Sequence, residues 1–423
     1  MRPMSDVSDL RAQLSRLGVR RGRDGLRPDP RPRDRSLDIE AWVDGVELET
    51  HAGRCFCVER VYEAEHRHGR LGLSSLLAHT SGTIARVARD QTLDGVNLRR
   101  MVFLDTETTS LSGGVGTYVF MVGLGRFEQV DGHDCFVMRQ YFMRDFDEQD
   151  AVVHIVGDLL EGTEALASFN GKAFDVPVLE NRFVLARRPL PLRDVPHLDL
   201  LAPARRVWGQ RLDSCRLTSL ESKVLGVRRT QQDVPGYLIP DLYRQYVETG
   251  DGREMASVFY HNEQDVLSLV VLAASLCHLV THPHSEASLP GEDLYGIGRL
   301  HEDQGLLEEA ERAYQQALVA PMAAEVQAAT LRYLGMLLKR QGRRDEAAEI
   351  WWQLAEAEGS SALLGLTELS KEFEWHQRDL QQAVEVTRMA LDLVAGWPHD
   401  YRRRRALQEV EHRLARLERK LAQ

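Results

Sequence analysis

Short apolar runs alternate with helically spaced stretches between Met101 and about Val280. Met101, Val102, Phe103 and Leu104 predict a buried strand. Tyr118–Phe127 predicts a second strand and Cys135–Phe142 a third, with Gly113, Gly114 and Gly116 marking the turn between the first two. Asp147–Leu160 has helical spacing, and the short run Ala165–Phe169 predicts a fourth strand. Asn170-Gly171 is a turn signal, and the apolar helix Val178–Ala186 follows. Cys215–Val227 reads as a helix ending at Gly226. Val266, Leu267, Leu269, Val270 and Leu272 place a buried helix near the end of this region. Strand hairpins followed by helices and returning strands predict an α/β fold with a mixed sheet. Upstream, Val46–Tyr62 alternates and breaks at Ala52-Gly53, which predicts a β-hairpin. Ser74–Ala88 reads as partly helical with a break at Gly82.

Beyond Glu292 the chain becomes rich in Ala, Leu, Glu and Arg at helical spacing. Leu294, Ile297, Gly298, Ala310, Tyr314 and Ala317 resemble the tetratricopeptide template, and Leu331, Leu334, Gly335, Ala347 and Trp351 repeat it 37 residues on. A third unit, Leu363–Val394, is degenerate: Ala383 aligns, but Lys371 falls at the small position. Tyr401–Leu421 predicts a terminal helix that caps the stack. Generic helical hairpins are the alternative. The resulting division is a basic, flexible segment 1–36, with Pro28, Pro30 and Pro32 and a short helix around Leu10, Leu14 and Leu17; a hairpin-containing region 37–100; an α/β domain 101–280; a linker 281–292; and helical repeats 293–423.

Composition narrows the class only slightly. Of the 423 residues, 43% are hydrophobic and 28% charged, which fits a soluble globular chain of two or three domains. No uninterrupted apolar run is long enough for a bilayer, and the N-terminus has no signal-peptide core, so no membrane is expected. Cys55, Cys57, Cys135, Cys215 and Cys277 lack zinc-like spacing, which suits reduced thiols in a cytoplasmic protein. The formal charge of −11 argues against a broad footprint on duplex nucleic acid. It leaves room for a short contact made through bound cations.

Three acidic positions carry candidate chemistry. Asp105 and Glu107 sit two apart at the end of the first strand, so both side chains share one face. Two close carboxylates need a partner, and a hard divalent cation is one; a polar turn is the plain alternative. Asp175 precedes Val176-Pro177 at a strand-to-helix edge, either as a helix N-cap or as a carboxylate within reach of the same site. His261 and Asp265 are i, i+4 and meet on one helix face, whereas Tyr260 lies about 140° round the helix from Asp265. A solvated first turn is the alternative there. His197 and Asp199 lie between these motifs, and Asp199 reads equally as a support for the site and as an N-cap. His66 and His68, Glu180 and Arg182, and Arg205, Arg206 and Arg211 read as solvated residues, the last three with phosphate contact as a minor option.

FLDTETTSLSGGVGT, FNGKAFDVPVLENRF and YHNEQDVLSL together, in this order, resemble the DEDD (DnaQ-like) exonuclease superfamily, which has a ribonuclease-H-like fold. With the helical tail, the chain resembles more closely the YprB-like family, in which a ribonuclease-H-like domain precedes tetratricopeptide repeats. The resemblance covers about Met101–Val280 plus the tail. It implies that Asp105, Glu107, Asp175 and Asp265 hold two Mg²⁺ or Mn²⁺ ions, one activating water and one stabilising the leaving 3′ oxygen. His261 would be the general base. The superfamily has Tyr four before the last Asp or His five before it; this chain has His261 at the first spacing and Tyr260 at the second. The implied activity is a two-metal 3′→5′ exonuclease on single-stranded DNA or RNA ends. The alternative is a nuclease-fold adaptor that binds a protein partner through its repeats.

Overall fold

The most apolar segments form the middle of one mixed sheet. In the computed structural model, which describes residues 37–110, 114, 116–282 and 289–423, the strands are β1 (Val46–Thr50), β2 (Gly53–Glu63), β3 (Arg67–His68), β4 (Leu71–Gly72), β5 (Met101–Thr108), β6 (Val119–Val130), β7 (His133–Phe142), β8 (Ala165–Ser168) and β9 (His197–Asp199). Seven of them pair in the order β1-β2-β7-β6-β5-β8-β9, and β3 pairs with β4 apart from the sheet. The strands from β1 through β2, β7 and β6 to β5 pair antiparallel, while β5, β8 and β9 run parallel. Met101–Leu104 of β5 are buried, as expected for a central strand covered on both faces.

The helices of this part are α1 (Ser81–Ala88), α2 (Gln149–Leu160), α3 (Asp175–Leu185), α4 (Leu201–Trp208), α5 (Leu217–Leu220, continued by one π turn to Leu225), α6 (Ile239–Thr249) and α7 (Met255–Thr281). Gly226 ends the α5 segment in the left-handed conformation, φ 71°, which glycine adopts without steric penalty. Tyr243 of α6 stacks on Phe120 of β6 with ring centroids 3.9 Å apart, and its hydroxyl donates to the Met143 carbonyl at 3.0 Å. That contact satisfies the polar tip of a fully buried ring. By length and composition α7 could cross a bilayer, but 72% of its most apolar window is buried inside the protein, as in a core helix.

The chain divides into two compact units. One holds the described residues up to Ala202 together with Arg216–His278; the other holds Pro203–Cys215 together with the described residues from Leu279 on. This differs from the division read off the sequence in two ways. The 37–100 region is not set apart: eight residues of β2 pair with β7, so its hairpin extends the main sheet. Residues 203–215 group with the helical part, because Arg211 makes a double ion pair with Asp293 at 2.7 and 2.9 Å and Arg206 pairs with Asp303. These two arginines are therefore neither solvated nor free for phosphate, whereas Arg205 is exposed. Local breaks also moved. The helical stretch before Ala88 is interrupted at His79-Thr80, where Thr80 caps α1, and not at Gly82. The expected segment 1–36, with its short helix, lies outside the described residues, as does part of the linker, which α7 enters as far as Thr281.

The second unit is all-helical: α8 (Gly291–Asp303), α9 (Leu307–Val319), α10 (Ala324–Arg340), α11 (Arg344–Ala355), α12 (Gly359–Glu372), α13 (Leu380–Ala395) and α14 (Tyr401–Leu421). Each packs on the next in sequence. Small residues set the approach. A Cβ on Gly298 would fall 2.5 Å from the Tyr314 ring, and one on Gly335 would fall 2.6 Å from the Trp351 ring. The repeated sequence positions thus place glycine against aromatic ring in two successive helix pairs. In the third pair a buried hydroxyl contact, Ser370 to Thr387 at 2.8 Å, joins α12 to α13. Glu374, just past α12, receives Arg416 and Lys420 from α14 at 2.6 and 2.7 Å, which fastens the terminal helix.

Candidate active site at the carboxyl end of the central strand

The sheet is uneven where the candidate residues lie. Strand β8 pairs only with Met101–Phe103 of β5, so Asp105–Thr108 project past its end. The loop after β8 fills that flank and carries Asp175 into α3. This is the carboxyl end of parallel strands, the usual position of ligand sites in open α/β sheets. Asn170 takes the left-handed φ of 66° in the predicted turn. Asp199 fixes the same turn by accepting from the Asn170 and Lys172 amides at 2.8 and 3.1 Å, and it also accepts from the Leu201 amide at 3.1 Å. It therefore acts both as a loop support and as the start of α4. His197 bonds Ser168 at 2.7 Å, and burial lowers the imidazole to about 4, so it is neutral at physiological pH.

Asp175 is the first residue of α3, and Phe174, not Asp175, occupies the N-cap position. Its side chain instead accepts from the Thr106 hydroxyl at 2.5 Å, which ties the second motif to β5. On the other side of β5, Asn262 of α7 donates to the Asp105 carboxylate at 2.8 Å. Gln140 of β7 orients Asn262 by donating to its side-chain oxygen at 2.9 Å and to the Phe259 carbonyl at 2.8 Å. Gly123, paired opposite Asp105, makes this possible: a Cβ there would lie 2.2 Å from the Asn262 oxygen. Three elements thus fix one carboxylate.

Asp105, Glu107 and Asp175 feel one another's charge and that of Asp265. Burial, then the charges of Asp265, Glu107 and Asp175, hold the Asp105 carboxyl well above the usual range. Burial, then Asp265 and Asp175, do the same for Glu107. Burial pushes Asp175 up to about 6, opposed by the Thr106 hydrogen bond. Asp105 and Glu107 nevertheless keep part of their surface open to solvent, so an ion can reach them. Mutually repelling, partly accessible carboxylates are a donor set suited to a hard divalent cation. Among the described residues no three His, Cys, Asp or Glu side chains are arranged so that they could hold a metal ion together.

His261 and Asp265 do face each other, Nε2 to Oδ2 at 3.6 Å, while the Tyr260 hydroxyl turns away to accept from the Thr230 amide at 3.0 Å. Asp233 lies 2.8 Å from His261 Nδ1. Arg229 reaches in from the loop after Gly226 and bonds both Asp265 and Glu221. Neither Arg229 nor Asn262, Gln140 and Asp233 was singled out from the sequence. Asn262 lies inside the YHNEQD motif, but its role depends on the glycine opposite; Arg229 lies in a polar stretch with no periodic signal. Two other residues read as solvated are buried. His68, 6% exposed, bonds Ser268 at 2.8 Å, and burial lowers it to about 4. Arg182, 2% exposed, lies over the Tyr118 ring at 5.0 Å.

The mixed seven-stranded sheet flanked by helices is the architecture of a ribonuclease-H-like domain. A model of the RNase_H superfamily matches residues 102–277, so this part of the chain is RNase H-like. Over 379 residues it is 30% identical to the "Uncharacterized protein YprB" of Bacillus subtilis (strain 168), spanning 86% of each chain.

Proposed function

We propose that the protein is a metal-dependent phosphodiesterase, a 3′→5′ exonuclease acting on single-stranded DNA or RNA ends. The observation that carries this reading is that Thr106 and Asn262 tie Asp175 and Asp105 to the same strand, β5, with Glu107 beside them and the charge of Asp265 acting on Asp105 and Glu107. These four carboxylates would hold two Mg²⁺ or Mn²⁺ ions, which when bound supply an activated water and neutralise charge on the phosphoryl group. The chain itself contributes the proton acceptor. In the tautomer that donates Nδ1–H to Asp233, His261 presents the Nε2 lone pair beside Asp265, and there Nε2 would take the proton of the attacking water. The water oxygen bonds phosphorus, the bond to the 3′ oxygen breaks, and that oxygen takes a proton from solvent. Asn262 and Thr106 keep Asp105 and Asp175 aimed throughout. Exposed Tyr237 follows Gly236, whose position adjoins His261, and offers a ring on which a terminal base can stack.

The helical unit reads best as tetratricopeptide-type repeats that bind a protein partner, since glycine meets an aromatic ring at corresponding places in two helix pairs. The chain forms no disulfide and buries Cys55, Cys57, Cys135 and Cys277, which suits a reducing, cytoplasmic setting. The pairing of Asp265 with Arg229 favours a second reading, an adaptor with a nuclease fold and no turnover. Incubating 5′-labelled single-stranded DNA and RNA with Mg²⁺ or Mn²⁺ separates the two. An exonuclease yields a ladder shortening from the 3′ end, lost in folded Asp105→Ala. No metal-dependent cleavage of either substrate by folded wild type supports the adaptor.

A further inference from the structure

Arg229 is the cation most deeply set among the candidate residues, with 7% of its side chain exposed. Its guanidinium donates to Glu221 at 2.7 and 2.6 Å, bonds Asp265, and lies 3.3 Å from Asp233 and 3.1 Å from His261 Nδ1. Glu221 is 2% exposed and also accepts from Ser268 at 2.6 Å, which in turn meets His68 at 2.8 Å. Arg229 therefore cannot swing out without leaving the Glu221 charge alone in the interior. Nε and one terminal nitrogen are anchored on Glu221; that same terminal nitrogen also holds Asp265, and the other faces Asp233 and His261.

We propose that Arg229 is a fixed cation of the site that competes with the second divalent ion for Asp265. This positioning role rests on the metal-dependent reading above. The free protein then takes one ion tightly through Asp105, Glu107 and Asp175. The second ion gains Asp265 only when another anion engages the guanidinium, and a substrate phosphate has the matching bidentate chemistry.

The test is calorimetric titration of chelator-stripped, full-length protein with MnCl₂, without nucleic acid. Arg229→Gln alone would strand the Glu221 charge, so the principal variant is Glu221→Gln with Arg229→Gln, its fold checked by circular dichroism. Arg229→Lys serves as a second variant that keeps the charge but not the two-pronged geometry. Wild type is expected to bind one Mn²⁺ tightly and a second at least about tenfold more weakly. The double variant is expected to tighten the weaker step by about tenfold or more, with Arg229→Lys between the two. Two equal ions in wild type, or a weaker step unchanged in both variants, overturns the competition while leaving the metal reading intact. No Mn²⁺ bound by any form overturns both.

Discussion

Replacing Asp175 with Asn should stabilise the metal-free protein, and by an amount that depends on pH. Asp175 is 6% exposed, and its carboxyl rises from 3.8 to about 6 in the fold, chiefly through burial. A raised carboxyl means that the folded state resists ionisation. Below pH 3.8 the group is protonated folded or unfolded and nothing is lost; the penalty grows between 3.8 and about 6 and is constant above. Its full size is about 3 kcal/mol, to order of magnitude. An Asn side chain removes the charge and keeps one oxygen to accept from Thr106. In a unit of this size about 3 kcal/mol corresponds to roughly 6–12 °C in melting temperature. The assay is thermal unfolding of wild type and Asp175→Asn in chelator at pH 4, 5, 6 and 7.5. The variant should melt with wild type at pH 4 and above it by a widening margin up to pH 6. Buried His68 and His197, whose lowered values act in the opposite sense, are common to both proteins and cancel in the difference. Excess Mg²⁺ should raise the wild-type melting temperature and narrow the gap. A variant no more stable than wild type at pH 7.5 would refute the idea that unneutralised charge destabilises the carboxyl end of β5.

Three further outcomes follow from particular contacts. Asn262→Leu removes the donor to Asp105 and leaves buried polar groups unpaired, so stability should fall by about 2–3 kcal/mol in urea unfolding, with cleavage impaired; unchanged stability would argue against the Gln140–Asn262–Asp105 chain. Gly123→Ala places a methyl 2.2 Å from the Asn262 oxygen, and should destabilise by about 1–3 kcal/mol and raise the concentration of Mn²⁺ needed for half-maximal activity. Gly335→Ala pushes a methyl into the Trp351 ring, and should lower the unfolding temperature of the helical unit by several degrees, read by tryptophan fluorescence, with nuclease activity kept.

The sheet and the helix order were legible because their signals are local. Four apolar residues before Asp105, a turn at Asn170-Gly171 and an alternating hairpin at Val46–Tyr62 each mark an element without help from distant residues. The four carboxylates could be picked out because each sits beside an apolar run or a turn signal in the sequence, although Asp265 proves to lie in the middle of α7. What lay beyond reach was long-range pairing. That the hairpin of residues 46–63 joins the sheet depends on β7, some eighty residues later. Burial of His68 depends on Ser268, 200 residues away, and the roles of Arg229 and Asn262 depend on partners on other elements. Polar side chains in irregular segments show no period, so only the folded chain distinguishes a solvated arginine from one held by two carboxylates.

The most direct test of the four-carboxylate centre is where manganese goes. Crystals of the protein soaked in MnCl₂ and measured at the manganese absorption edge should show an anomalous peak ligated by Asp105, Glu107 and Asp175, at the end of β5, and none in Asp105→Ala. Manganese absent from that edge in well-ordered crystals, or bound only at other surface carboxylates, would contradict the account.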